Sequence, residues 1–353
     1  MKPAPLEKLV PLFSRSRVAV VGDLMLDRYI WGRASRISPE APVPIVVVER
    51  ETESPGGAAN VLRNVLALGA QAVAFGIVGT DRRAEVLLRF LRTDGADMDA
   101  VLAVPERPTT VKTRVIAGNQ QVVRIDREET TALPPDMQSQ VEGKLLAAIR
   151  AGTVQAVIFE DYAKGLLTRE MMQRVIDCAR EHDIMVTLDP HPSHPFNLRG
   201  LTLMTPNRAE AFGLAGVYYQ RAVFPLEKDA ALLEVSARLR REWGVDCLLI
   251  TLGAGGMALF TDTAPPLHIP TRAREVFDVS GAGDTVTAVC TLALLAGASP
   301  ADSAMLANCA AGVVVGKIGT VPIMPDELVA ALQEDEEAPR PERGVRSEGS
   351  AKT

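Results

Sequence analysis

The sequence contains few cysteines, and their spacing excludes the common cysteine-based sites. Four cysteines occur among 353 residues, far apart and without a C-x-x-C pair: Cys178, Cys247, Cys290 and Cys309. A disulfide framework or a cysteine zinc site needs paired or closely spaced cysteines. The pattern therefore predicts four buried thiols in a reducing compartment.

Long apolar runs and long basic runs are also missing. The apolar stretch at residues 288–296 is far shorter than the roughly 18 residues of a membrane span, and residues 1–17 show no secretory signal. The net charge of −6 and the pI near 5.5 argue against nucleic acid as the main partner but allow a local basic pocket. We expect a soluble, cytoplasmic protein with no membrane and no nucleic-acid partner.

What the sequence does contain is an alternation of strand and helix patterns. With 47% hydrophobic residues, the chain can bury a full core. Apolar runs typical of buried strands lie at residues 17–22, 72–78, 156–159, 185–188, 202–204 and 247–251. Helical periodicity separates them at residues 58–68, 83–91, 137–150, 170–182 and 229–243. The alternation predicts an α/β fold with a mainly parallel sheet covered on both faces, whose ligands gather at the carboxyl ends of the strands.

Two stretches break this alternation. Residues 45–49 and 109–126 alternate with period two and are rich in Val, Thr and Arg. They predict a small β-lid over the active site, with strands within about 26–55 and 105–127, whose apolar face is also a ready dimer surface. We place the ordered domain at residues 1–333 and expect the charged segment 334–353 to be disordered.

The segment Asp-Val-Ser-Gly-Ala-Gly-Asp-Thr at 278–285 carries the strongest chemical signal. Gly281, Ala282 and Gly283 permit a tight turn with free N–H groups at the start of a helix, where the dipole favours an anion. Asp284 would repel a phosphate but is well placed to take a proton from a hydroxyl that attacks one. The alternative is a glycine-rich turn in which Asp284 is an ordinary helix cap.

A second group of residues suits sugar recognition. Asp27 follows the first strand and Asn60 lies in the glycine-rich start of the next helix, so together they can hydrogen-bond vicinal hydroxyls. The alternative is an Asp turn and a glycine-rich cap. On the predicted lid, Lys112, Arg114 and Arg124 are candidates to contact a substrate phosphate, although each also fits a solvated basic face.

A third group suits a nucleotide and its metal. Asn207 and Glu210 lie three residues apart and supply oxygen ligands for Mg²⁺ and its water shell; the alternative is an N-cap with a capping-box glutamate. The loop Thr251-Leu-Gly253-Ala-Gly255-Gly256 suits a nucleotide phosphate tail or forms a simple turn. Small residues around Asn308 leave a slot for a flat adenine or serve close helix packing.

These motifs, in this order, resemble the ribokinase-like (PfkB) family of carbohydrate kinases. The two signature regions are Gly-Gly-Ala-Ala-Asn at 56–60 and the segment at 278–285, and the resemblance covers residues 18–331. Within the family, the runs at 22–29, 35–44, 119–121, 161–165 and 312–320 resemble the bacterial heptose 7-phosphate kinases.

The resemblance implies a fold, an activity and a set of site residues. It implies a three-layer sandwich with a β-lid and an ATP- and Mg²⁺-dependent enzyme. The activity implied is phosphorylation of the anomeric hydroxyl of D-glycero-D-manno-heptose 7-phosphate to the 1,7-bisphosphate, a precursor of ADP-heptose. The roles implied are Asp284 as base, the N–H groups of Gly281, Ala282 and Gly283 as anion hole, Asn207 and Glu210 for magnesium, Thr251 and Gly253 for nucleotide phosphates, Asp27, Gly57 and Asn60 for sugar, and Asp278 with Ser280 for a monovalent cation such as K⁺.

Some positions depart from the family pattern. His191 stands where relatives often carry a lysine, and Gly118 stands where heptose kinases carry an arginine. The acceptor is therefore open to another sugar or phosphosugar, such as a fructose phosphate or a ribose-like sugar, or the protein is a non-catalytic sugar-binding regulator. Asp284 and Glu210 argue against the regulator, because binding alone needs neither a base nor a metal ligand. With no His-x-Gly-His motif, we expect a kinase without an adenylyltransferase domain.

Overall fold

The computed structural model of the protein describes residues 5–118, 120–273 and 275–337. Asn119 and most of the segment predicted to be disordered, from residue 338 onward, lie outside the described residues. The last helix, Pro325–Glu337, continues past residue 333, where we placed the end of the ordered domain. Leu328 and Leu332 of this helix are buried in the core, which holds its first turns in place.

The elements follow one another as strands and helices through most of the chain. The strands are β1 Arg17–Gly22, β2 Leu24–Ile37, β3 Pro44–Gly57, β4 Gln71–Val78, β5 Asp97–Ala103, β6 Thr110–Ala117, β7 Gln120–Arg127, β8 Ala156–Glu160, β9 Met185–Asp189, β10 Leu203–Met204, β11 Cys247–Thr251, β12 Met257–Thr261 and β13 Leu267–Ile269. The α-helices are α1 Ala58–Ala67, α2 Arg82–Thr93, α3 Pro135–Arg150, α4 Arg169–Glu181, α5 Arg208–Leu214, α6 Ala230–Trp243, α7 Ala282–Leu295, α8 Pro300–Val314 and α9 Pro325–Glu337.

The main sheet has the strand order β13-β12-β11-β10-β9-β8-β1-β4-β5. From β11 to β5 every neighbouring pair is parallel. At the other edge, β12 and β13 are antiparallel additions, which the alternation of patterns did not predict. The mainly parallel sheet is thereby confirmed, and because its central strands run in the same direction, their carboxyl ends meet at one edge.

Helices cover both faces of this sheet, and alternation along β1 shows how. Val18 and Val20 are buried in a core formed with α1, α2, α7, α8 and α9. Ala19 and Val21 point the other way into a second core formed with α3, α4, α5 and α6. A strand buried on both faces reads as a continuous apolar run, which is why β1 was evident in the sequence. The three-layer sandwich is confirmed.

The predicted lid is a separate four-stranded sheet in the order β3-β2-β6-β7. Its outer pairs are antiparallel and its central pair, β2 with β6, is parallel. The strands begin at residue 24 and end at residue 127, slightly beyond the predicted limits. β2 starts two residues after β1 ends, so the lid is attached at the carboxyl edge of the main sheet.

The register of the lid separates its two faces. Across β6 and β7, Arg114 pairs with Arg124, while Val115 pairs with Val123 and Thr113 pairs with Ile125. Paired residues point to the same side of a sheet and successive residues to opposite sides. One face is therefore charged and the other is largely apolar.

The predictions for the cysteines and for membrane spans can also be compared with the fold. All four cysteines are buried and none forms a disulfide, as expected. Of the helices in the described part of the chain, none has both the length and the apolar character that crossing a bilayer demands.

Candidate active site

A cavity of about 620 Å³ opens at the carboxyl edge of the main sheet, beside the start of α7. It brings together ten residues that were selected from four separate segments of the sequence. They are Asn207, Glu210, Thr251, Gly253, Gly256, Gly281, Ala282, Gly283, Asp284 and Asn308. The predicted catalytic turn and most of the predicted nucleotide residues therefore line one space.

The start of α7 requires its glycine. Gly281 caps the helix with a φ of +78°, and a Cβ there would lie 2.5 Å from the side-chain amide nitrogen of Asn60. The N–H groups of the first helical turn have no partner within the helix, so they face the cavity with the positive end of the dipole. Of the three predicted donors, Ala282 is already engaged, because its N–H donates to the carbonyl of Val279 at 3.3 Å.

Asp284 is buried in the first turn of α7, with 4% of its surface exposed. The side-chain amide of Asn60 donates to Oδ2 at 2.7 Å, and the hydroxyl of Tyr162 donates to Oδ1 at 2.9 Å. Burial raises the pKa of Asp284, and the two donors oppose that shift by stabilising the carboxylate. The result is a carboxylate with increased basicity, as a general base requires.

Asn207 and Glu210 form the capping box of α5, so the structural alternative raised from the sequence is what the fold contains. The Asn207 side chain accepts the N–H of Glu210 at 3.0 Å, and Glu210 Oε2 accepts the N–H of Asn207 at 2.7 Å. Both residues still line the cavity, and burial raises the pKa of Glu210. Their oxygen atoms fit a hard cation such as Mg²⁺, and their role as metal ligands stays a prediction.

The glycine-rich loop after β11 needs glycine for backbone reasons. Gly253 has a φ of +58°, and a Cβ on Gly256 would lie 2.1 Å from the carbonyl oxygen of Ile269. Gly255 does not line the cavity: its carbonyl accepts a hydrogen bond from His268 at 2.8 Å. The assignment of Gly255 to the nucleotide is therefore not supported by its position.

Asn308 on α8 lies across the cavity from this loop. Its side-chain amide donates to the carbonyl of Pro270 at 2.8 Å, which fixes the backbone between β13 and α7. Thr251 closes the same wall through a short parallel bridge to Asn207. Both positions fit a bound nucleotide, which stays a prediction.

The predicted sugar residues Asp27 and Asn60 have different hydrogen-bond partners, and their role in sugar binding stays a prediction. Asp27 is buried on β2 and forms an ion pair of 2.5 Å with Arg114, whereas Asn60 donates to Asp284. No hydrogen bond between Asp27 and Asn60 occurs among the residues described. Gly57 has a φ of +55°, and a Cβ there would meet the carbonyl oxygen of Asp23 at 2.8 Å, so backbone packing alone requires this glycine.

Arg124 and Asp278 make contacts that were not anticipated from the sequence. Arg124 is half exposed on β7 and is paired with Asp126 at 2.9 Å, in agreement with the solvated-face alternative. The two carboxylate oxygens of Asp278 accept the N–H groups of Ser280 at 2.9 Å and of Gly319 at 3.1 Å. These bonds hold the loop before α7, and the cation role of Asp278 stays a prediction.

Several residues at this edge were given no role from the sequence. Tyr162, Asp189 and Thr205 line the cavity, and Glu160 is fully buried next to it. All four lie at or just after the carboxyl ends of β8, β9 and β10. The strand-end rule for parallel sheets was the signal that could have identified them.

The two departures from the family pattern have local explanations. Gly118 has a φ of +61° in the turn after β6, and a Cβ added there would have no heavy atom within 4 Å. Backbone conformation rather than space therefore favours glycine in this turn. The ring of His191 contacts Ser193, its Nδ1 lying 2.6 Å from the hydroxyl oxygen. Burial lowers the pKa of His191, so this residue does not replace the charge of a lysine at neutral pH.

Comparisons with known proteins agree with the fold and the motifs. The family model described as pfkB family carbohydrate kinase matches residues 15–327. The bifunctional protein HldE of Geobacter sulfurreducens is 44% identical over 313 residues, covering 89% of this chain and 62% of that protein. The HldE of Klebsiella pneumoniae strain 342 is 42% identical over 326 residues, covering 92% and 65%. The chain thus spans less than two thirds of the length of these curated relatives.

Solved structures show the same fold at low identity. A ribokinase from Arabidopsis thaliana, solved with ribose and ATP, matches with a TM-score of 0.69 at 21% identity, covering 90% of this chain and 99% of that one. Phosphofructokinase-2 from Escherichia coli, in complex with substrates and products, gives 0.73 at 18% identity, covering 90% and 99%. The fold is ribokinase-like.

One buried carboxylate at the site makes stability depend on pH. Asp23 accepts the N–H groups of Tyr162 and Lys164 at 3.0 and 3.1 Å, and burial, followed by repulsion from Asp161, raises its pKa from 3.8 to about 6. Because the native state holds this proton more tightly than the unfolded state, the contribution of Asp23 to stability falls as pH rises from 3.8 to about 6.

We expect Asp23→Asn to remove this dependence, since the amide oxygen still accepts both N–H groups. Two pKa units correspond to about 3 kcal/mol. Between about pH 4 and pH 7 the free energy of unfolding of the variant should therefore increase by that amount relative to the native protein. Urea unfolding across this range measures the difference, with exposed Asp99→Asn as control. Parallel stability curves for Asp23→Asn and the native protein would contradict the prediction.

Proposed function

Because the chain belongs to the pfkB family of carbohydrate kinases, we propose that it transfers the γ-phosphoryl group of ATP to a sugar hydroxyl. The observation that carries the proposal is that the buried base and the nucleotide residues share one cavity. Asp284 lines this cavity together with Asn207, Thr251 and Gly253. A phosphoryl transfer needs this arrangement, because donor and acceptor must meet in line with little covalent help from the protein.

The side chains divide the reaction between them. Asp284 removes the proton from the acceptor hydroxyl, whose oxygen attacks the γ-phosphorus as the bond to the β-phosphate oxygen breaks. The unpartnered N–H groups at the start of α7 stabilise the charge on the transferring group. Asn207 and Glu210 would hold Mg²⁺, which neutralises phosphate charge when bound. Asp278 and Ser280 would hold a K⁺ ion, which would stabilise the loop that carries the anion hole.

For the acceptor we propose a phosphosugar, D-glycero-D-manno-heptose 7-phosphate, phosphorylated at its anomeric hydroxyl. The resemblance of the motifs in this chain to those of the heptose 7-phosphate kinases is one support for this acceptor. The positive charge on the charged face of the lid, which carries Lys112, is the other. The Lys112 ammonium lies 4.7 Å from the ring centroid of Tyr162, whose hydroxyl donates to Asp284. Among the described residues Lys112 forms no ion pair, and burial lowers its pKa. A cation without a carboxylate partner beside the base suits a substrate phosphate.

The chemistry uses ATP and a metabolite, so we place the enzyme in the cytoplasm.

The first prediction concerns the base. We expect Asp284→Asn to lower kcat by about 10²- to 10⁴-fold, because the amide cannot take the proton, and to leave Mg-ATP binding within about twofold of the native protein. ADP release with heptose 7-phosphate measures the first effect and calorimetry the second. Asp302→Asn, a carboxylate in the first turn of the next helix, is the matched control.

The outcome also separates the kinase from a sugar-binding regulator. Near-normal turnover by Asp284→Asn would show that another group is the base. An absence of turnover by the native protein with heptose 7-phosphate, fructose phosphates and ribose, together with retained sugar binding, would favour the regulator. Turnover of a different sugar would keep the mechanism and change the acceptor.

The second prediction concerns the substrate phosphate. A charged hydrogen bond contributes about 1.5–3 kcal/mol, so we expect Lys112→Met to raise KM for heptose 7-phosphate about tenfold to a hundredfold. The KM for the unphosphorylated heptose should change little, because no phosphate contact is lost. The lid variant Arg33→Met, which removes an exposed partner of Glu49, is the control. Equal effects on both sugars would exclude a phosphate contact by Lys112.

We also propose that two copies associate through the apolar face of the lid. Val123 and Ile125 are 46% and 56% exposed and lie opposite the charged face. Val47 and Val48 of β3, at the other edge of the lid, are 52% and 51% exposed and point to opposite sides, so one of the two lies on the same face as Val123 and Ile125. Exposed apolar residues gathered on one face mark interaction surfaces in soluble proteins.

We expect a dimer in light scattering coupled to gel filtration, and a monomer for Ile125→Glu, since a charge on the buried face of an interface is costly. Tyr218→Glu, which alters a side chain 94% exposed outside the lid, should leave the dimer intact. A native protein that elutes as a monomer at micromolar concentration would refute the proposal.

A further inference from the structure

Glu160, at the carboxyl end of β8, has no role in the mechanism above. Its side chain is 0% exposed, and neither carboxylate oxygen has a hydrogen-bond partner among the described residues. An oxygen of Glu160, one of Asp189 and one of Asp284 all lie within 4.8 Å of one another. A buried glutamate with both oxygens unpartnered is rare, because the loss of hydration is not repaid.

The surroundings of Glu160 make three negative charges untenable. Asp189 faces it from β9, Asp284 from α7, and Tyr162 from the loop after β8, while Glu210 of α5 acts on Asp189. The ammonium of Lys112 contacts the ring of Tyr162, 4.7 Å from its centroid, and forms no ion pair with these carboxyl groups among the residues described. Burial, and then repulsion from Asp189 and Asp284, raise the pKa of Glu160 well above its usual value. A proton or a metal cation must therefore compensate the charge.

The hydrogen bonds around the base favour a proton. Both oxygens of Asp284 already accept from donors, the Asn60 amide and the Tyr162 hydroxyl. A metal ion shared with Asp284 would lie close to these two donors, whose hydrogen atoms repel a cation. A carboxylic acid O–H fits beside them as a further donor, and it would satisfy an otherwise unpartnered oxygen of Glu160.

We propose that Glu160 is a neutral carboxylic acid in the resting protein and that its O–H donates to Asp284 or Asp189. Glu160 is then a positioning residue. Its proton reduces the negative charge of the group formed by Glu160, Asp189 and Asp284 by one unit, which leaves Asp284 ionised to act as the base. This inference rests on the proposed kinase function only for its effect on turnover. The protonation of Glu160 is a property of the folded protein alone.

The effect on turnover is tested by two variants of similar size. Glu160→Gln keeps a donor and stays neutral, so the acid limb of the kcat/KM profile should stay within about 0.3 pH unit of the native one. Glu160→Leu removes the donor, so the pKa of Asp284 should rise and the acid limb of the kcat/KM profile should shift to higher pH by about one unit. A limb that moves down by about one unit in Glu160→Gln would show that Glu160 was ionised, and would overturn the proposal.

Two measurements do not depend on activity. Infrared difference spectra of the native protein at neutral pH should contain the carbonyl stretch of a buried carboxylic acid, and Glu160→Gln should lack that band. Paramagnetic titration with Mn²⁺ in the absence of ATP should give the same number of bound ions for both proteins. A missing band, or an Mn²⁺ ion lost in Glu160→Gln, would overturn the proposal. If the band is present but no sugar is turned over, the proposed function fails and the protonation of Glu160 stands.

Discussion

The arrangement of the active site depends on how one buried carboxylate is kept charged. Asp284 is almost wholly removed from water, yet it accepts hydrogen bonds from Asn60 on α1 and from Tyr162 after β8. These two bonds connect three segments that are remote in the chain. Because an unpaired buried charge would cost several kcal/mol, the segments must meet for Asp284 to be ionised. Keeping Asp284 ionised therefore requires these three segments to be packed together at the cavity.

Charge is balanced across the cavity by the lid. The ends of β8 and β9 and the first turn of α7 contribute the carboxyl groups of Glu160, Asp189 and Asp284, while β6 contributes Lys112 and Arg114. Arg114 is neutralised by Asp27, whereas Lys112 rests on an aromatic ring. The lid therefore brings an available positive charge to a site that otherwise carries excess negative charge. Among the described residues that positive charge has no carboxylate partner, so it is available to a phosphate on the acceptor, which is why we favour a phosphosugar.

Much of the fold and part of the site could be predicted from residues close together in the sequence. The continuous apolar run of β1 indicated a doubly covered strand, and Gly281, Ala282, Gly283 and Asp284 indicated an anion hole with a base. Such signals are local, because a turn, a helix start or a strand depends on a few successive residues. The predictions were weaker for Arg124 and Gly255, which have suitable residue types but lie in contact with Asp126 and His268 instead. Residue type alone does not reveal which partner a side chain meets.

The sequence by itself determined the alternation of strands and helices, the family and the catalytic turn, because these are written in periodicity and in contiguous motifs. Only the tertiary structure decided that Asn60 donates to Asp284, that Tyr162 supplies the second donor, and that Glu160 is buried beside Asp189. These relations join residues more than a hundred positions apart in several cases, such as Asn60 and Asp284. Their energies come from burial and from distance between charges, and both exist only once the chain has folded.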